Sequence, residues 1–200
     1  MTAAHRSHLA TICGYLGLLG CGAVVFADLV GIIVFEQHNP FSETISALAH
    51  GQYGWIQDVG LYALAVAIVA IAVALPEVTI DDGQTRTARA LLISLALAIL
   101  AIAGVNQDLL VTSPASTLHL LCVLILYTTV AVASALLWKP LQARGWHWGR
   151  LDLGFAIAWT VLAPIFFFVP TAWDGAYERL LGAMLLGWLG SLAWLLVQKR

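Results

Sequence analysis

Six long apolar segments, short connections between them and basic residues gathered on one side predict an all-α integral membrane protein. The expected architecture is six transmembrane helices in one bundle, with a short amphipathic helix in the first outer loop. Of 200 residues, 61% are hydrophobic and 10% charged, against about 45–50% and ~25% in a soluble domain. A water-soluble globule is excluded. A hydrocarbon core about 30 Å thick takes ~20 apolar residues at 1.5 Å rise each, and runs of that length fall near 9–33, 55–75, 88–105, 118–138, 151–169 and 177–197. Helix is required because lipid satisfies no backbone group, and none of the runs alternates as a barrel strand does. Residues 1–200 therefore read as a single membrane domain.

The first run also has the outline of a signal peptide, with Arg6 as the basic region and Val25-Phe26-Ala27 as a cleavage site. Its apolar character continues through Phe35, which suits an uncleaved span. Leu18-Leu19-Gly20-Cys21 has the outline of a lipoprotein site, but apolar residues rather than a polar tether follow Cys21. Gly14, Gly17 and Gly20 permit a close helix contact, within one chain or between copies. In the loop over 36–54, Asn39 suits a cap, Pro40 a first helical position and Gly51 a stop. Between them Phe41, Ile45, Leu48 and Ala49 form an apolar stripe. An amphipathic helix over 40–50 would present Glu43, Ser46 and His50 on its polar side.

The connection over 76–87, with Glu77, Asp81, Asp82 and Arg86, reads as a solvated turn before the third span. Ser113-Pro114 reads as the start of the fourth, which sets His119 inside it. Trp138, Lys139, Arg144, Trp146, Trp148 and Arg150 read as an interfacial belt between the fourth and fifth spans. Asp174 reads as the cap of the sixth, with Glu178 and Arg179 one to two turns inside.

Orientation follows from the basic residues. Of nine Lys and Arg, Arg6, Arg86, Arg89, Lys139, Arg144, Arg150, Lys199 and Arg200 share one side of a six-span chain, and only Arg179 lies on the other. Both termini are therefore expected in the cytoplasm, and the protein in the plasma (inner) membrane. The net charge of −2 and the absence of a basic run leave no footprint for nucleic acid. Membrane lipid is the expected partner, and the oligomeric state stays open. Cys13, Cys21 and Cys122 all fall within spans and carry no redox inference.

The outer side collects Asp28, Glu36, Glu43, Asp58, Asp108, Asp174 and Glu178 with His38, His50 and His119. Ionisable groups within a bundle are costly in lipid, so they mark candidate sites. Arg179, Glu178, Asp108 and Asp28 are candidate ligand-binding residues. Arg179 is expected to pair with Asp28 or Asp108 from another hairpin. Ser46, His50 and His119 are candidates for nucleophile and base, and His50, Asp58 and His119 for metal ligands, although no H-E-x-x-H motif occurs. The sequence names no cofactor.

Asn39-Pro40-Phe41-Ser42-Glu43-Thr44-Ile45-Ser46-Ala47-Leu48, the outer Asp108 and His119, and Tyr177-Glu178-Arg179-Leu180 together resemble the domain-of-unknown-function 998 family of bacterial and archaeal membrane proteins. The resemblance implies six spans and points to Ser46, His119, Glu178 and Arg179. More distantly, such proteins look like a eukaryotic six-span group linked to lipid asymmetry and autophagy. The Ser46-x-x-x-His50 spacing is also similar to that of alkaline ceramidase-like hydrolases. Those carry a further paired histidine near the carboxyl terminus, whereas the last histidine here is His147. Three functions are consistent with these features: an outward-facing polar pocket for a lipid headgroup or small amphiphile, a membrane-embedded lipid hydrolase with or without zinc, and a small transporter.

Overall fold

The computed structural model describes residues 3–105 and 114–198. Six helices follow in order: α1 Ala3–Val34, α2 Trp55–Ala74, α3 Gly83–Gly104, α4 Pro114–Gln142, α5 Trp146–Ile165 and α6 Asp174–Val197. All six are long and apolar enough to cross a membrane, and an even number of spans returns the two termini to one end. Side chains such as Leu19, Phe26, Ile33 and Phe168 are exposed on the outside of the bundle, an arrangement suited to lipid rather than water.

Several helices extend beyond the apolar runs, because caps and interfacial residues add turns that hydrophobicity does not register. α3 starts at Gly83, five residues before the expected 88, since the Asp82 side chain accepts from Thr85 N at 2.8 Å. α5 takes in Trp146 and Trp148, and α4 continues through Pro140. Asp174 is the first residue of α6, with Trp173 in the cap position. The interfacial belt carries cation–ring contacts, Lys139 over Trp138 at 5.3 Å and Arg150 over Trp146 at 5.0 Å.

α1 packs against α2 and α6, α3 bridges α2 and α4, and α5 lies on α4. The α5–α6 seam is sparse by comparison. The glycine stripe of α1 is spent within the chain: a Cβ on Gly20 would lie 2.5 Å from the Ala63 carbonyl of α2, and one on Gly14 2.7 Å from the Ala193 carbonyl of α6. Trp159, 1% exposed, ties α5 to α4 by donating to the Tyr127 carbonyl at 3.0 Å.

The short helix of the first loop is present as a 3-10 turn over Ile45–Ala49, narrower than the expected 40–50. Tertiary partners take the main-chain groups that a longer α-helix would pair. The Phe41 carbonyl accepts from Ala176 N at 3.0 Å, and Ile45 N donates to Glu178 Oε2 at 2.6 Å. Asn39 still opens the segment, its Oδ1 accepting from Phe41 N at 3.0 Å. Leu48 is 1% exposed and is seated where α1 carries Gly31, while Phe41 stays at the surface, edge-on to Trp173.

Candidate functional site

The chemistry-bearing residues gather at the end opposite the termini, where the first loop folds over α1, α4 and α6. Arg179 enters α6 five residues after Asp174, about 7.5 Å from the helix start. Its guanidinium meets Asp28 of α1 in a two-pronged pair, Nε to Oδ2 at 3.1 Å and Nη2 to Oδ1 at 3.0 Å. The expected partnership with another hairpin is thus made by Asp28; Asp108 lies outside the described residues. Nη1 donates to the carbonyls of Pro40, Glu43 and Gly175 at 2.8, 3.0 and 3.2 Å. Nη2 also reaches His38 Nε2 at 3.1 Å. All three guanidinium nitrogens are directed at protein acceptors, so the group staples loop to bundle.

That geometry settles the state of His38. Its Nε2 accepts from Arg179, so Nδ1 carries the proton and donates to Glu43 Oε2 at 2.9 Å. Burial, and then the adjacent Arg179 charge, hold this imidazole below its ordinary value. In the unfolded chain the proton binds near pH 6.5; in the fold it binds at lower pH. Between those limits the unfolded state holds more protons, so this stabilisation is complete above about pH 6.5 and is lost as pH falls below it. Melting at pH 7.5 and 5.5 should show a larger loss for the wild type than for His38→Gln. Equal losses would mean that His38 does not titrate across this range.

Glu178 points into the bundle, taking Ile45 N with Oε2 and lying beside the Ser46 hydroxyl. Ser46 Oγ stands 3.4 Å from His119 Nε2. His119 comes from α4, five residues after Pro114 and 7% exposed. These side chains close one end of a cavity of about 310 Å3, whose walls are otherwise largely apolar: Leu64 of α2, Ile99 of α3, Leu126 of α4, Trp159 of α5 and Leu185 of α6. From Glu178 to Leu186 the lining descends eight residues of α6, about 12 Å. The cavity is therefore amphipathic along its length.

The family is decided by comparison with known proteins. A family model described as a protein of unknown function, DUF998, matches residues 18–195. The chain belongs to the DUF998 family. No curated protein and no solved structure matches it.

In this DUF998 protein, Ser46, His119, Glu178, Arg179 and Asp28 all line the one cavity. His50 does not stand as a base toward the Ser46 hydroxyl, because the 3-10 turn directs its Nδ1 to the Ser46 carbonyl at 3.2 Å. His50 lies close enough to Asp58 and to His119 to interact electrostatically with each. Even so, among the described residues no group of three His, Cys, Asp or Glu is arranged to hold a metal ion.

Sequence reasoning missed Gln57, which lines the same cavity. It is 1% exposed, and neither its Oε1 nor its Nε2 has a hydrogen-bond partner among the described residues. An unpaired buried polar group costs about 1–3 kcal/mol, so an amide with both ends open marks a place where something else bonds. The available signal was an uncharged amide beside Asp58 in the first turn of the second span.

Proposed function

We propose that this DUF998 protein binds an uncharged amphiphile, its polar group at Gln57, Ser46 and His119 and its apolar portion along the walls beneath. The open amide of Gln57 at the polar end of an otherwise apolar cavity carries this reading. An uncharged head is favoured because Arg179 and Asp28 neutralise one another and the Glu178 carboxylate is held by Ile45 N. A hydroxyl, ester or amide bonds Gln57 without a desolvated charge. A volume of about 310 Å3 stands at the lower end of the ~300–1,000 Å3 range of ligand sites, which suits one short chain rather than a whole two-chain lipid.

Titration with a monoacylglycerol, followed by native mass spectrometry, tests this. Wild type should retain one molecule, and Gln57→Leu should weaken retention about tenfold, the worth of one to two hydrogen bonds. Stronger retention of an anionic lysophospholipid, or equal retention by both proteins, would overturn the reading. The eight-to-one distribution of basic residues supports a cavity that opens outward, with the termini in the cytoplasm. A reporter active only in the cytoplasm should be silent after Gly51 and active at the carboxyl terminus; signal at Gly51 would reverse the orientation.

A second reading, membrane hydrolase, draws on the 3.4 Å approach of Ser46 Oγ to His119 Nε2, within the loose range of an unliganded nucleophile and base. Glu178 stands on the serine side of that pair, whereas an orienting carboxylate belongs on the far side of the imidazole. The other polar neighbours of His119 among the described residues are the backbone of Val105 and the His50 ring, neither of them a carboxylate. Covalent labelling of Ser46 by a fluorophosphonate would favour the hydrolase.

A further inference from the structure

A second cavity, of about 240 Å3, lies toward the end that carries the termini, between α4, α5 and α6. Asp152 forms part of its wall and is 4% exposed. It sits six residues into α5, about 9 Å below the helix start, under the Trp146 and Trp148 belt. Trp188 Nε1 of α6 donates to its Oδ1 at 2.7 Å, but Oδ2 has no hydrogen-bond partner among the described residues. Two basic side chains of this end lie over ring faces instead, Arg150 on Trp146 and Lys139 on Trp138.

The rest of the wall selects the kind of ligand. Phe155 and Trp188 stack with centroids 5.1 Å apart and planes within 1°, and half-buried Trp148 stands beside them, with Leu141 and Met184 closing the apolar side. A divalent metal ion needs several oxygen ligands or retained waters, which such walls do not supply. Aromatic rings and a single carboxylate recognise an organic cation, whose diffuse charge is weakly hydrated. We propose that this cavity binds an organic ammonium group, with Asp152 as its counter-charge, Trp148 as the ring that receives the cation and the stacked Phe155 and Trp188 as the apolar wall beside it. The sparse α5–α6 seam leaves its flank toward lipid, where Leu151 is exposed. The ammonium therefore comes from a membrane lipid headgroup or from a free amine.

Two measurements on the full chain in maltoside micelles separate the sources: calorimetric titration with choline, and native mass spectrometry against an equimolar mixture of phosphatidylethanolamine and phosphatidylglycerol. Wild type should bind choline, or retain phosphatidylethanolamine over phosphatidylglycerol. Asp152→Asn, which keeps an acceptor for Trp188, should weaken that binding about tenfold and leave monoacylglycerol retention at the first cavity unchanged. Trp148→Leu, at the half-buried edge, should weaken it as well and serves if the Asn variant fails to fold. Binding to choline alone identifies a free amine, and lipid selectivity alone a headgroup. Absence of both in the wild type, or equal binding by wild type and variants, would overturn the proposal.

Discussion

Replacing Arg179 by Leu should destabilise the protein by about 3–5 kcal/mol, the usual consequence of removing one partner from a buried ion pair. The Asp28 and Arg179 side chains are each 18% exposed, so the carboxylate left behind is poorly hydrated. The Pro40, Glu43 and Gly175 carbonyls each lose a side-chain donor in the same substitution. Arg179→Lys should recover little, because an ammonium cannot reproduce a planar fork that serves a carboxylate and three carbonyls. Adding Asp28→Asn to Arg179→Leu should restore part of the loss by removing the stranded charge. Arg86→Leu is the contrast: its pair with Asp81 is 68% and 54% exposed, and such pairs contribute about 1 kcal/mol or less. Unfolding in detergent would compare them, and equal stability of Arg179→Leu and Arg86→Leu would count against the staple.

Gly175→Ala and Gly187→Ala should act in opposite directions although both lie in α6. A Cβ at Gly175 would collide with the Glu43 carbonyl oxygen and come within 2.7 Å of that of Pro40. Both obstacles are main chain, held in turn by Arg179, so neither can rotate aside. Overpacking of this kind costs about 1–3 kcal/mol, and displacing the loop should also weaken binding in the first cavity. At Gly187 nothing lies within 4 Å of an added Cβ, and Ala in a helix interior gains up to about 1 kcal/mol over Gly. A Gly175→Ala protein as stable as the wild type would show that the loop does not press on the start of α6.

The sequence by itself determined that the chain has six apolar helices. Hydrophobic length suffices for that, since lipid leaves a spanning segment no alternative to helix. The preference of the Asn39 side chain for nearby backbone N–H was legible as well, although it closes a turn rather than capping the expected helix from Pro40. Ser46, His119 and Arg179 were legible as polar groups at one depth that would line one outer pocket, and all three line the first cavity together with Glu178. Tertiary structure decided the particular contacts: Asp28, one of the two acids expected for Arg179, meets it across 151 residues, and Ile45 N, which no sequence pattern pointed to, meets Glu178 across 133. Those distant partners also limited the first-loop helix, because a main-chain N–H given to Glu178 is not available to the preceding turn. The same holds for Gln57 and Asp152. Each is a polar letter near the start of an apolar run, and its meaning depends on whether folding brings it a partner or leaves it open toward a cavity.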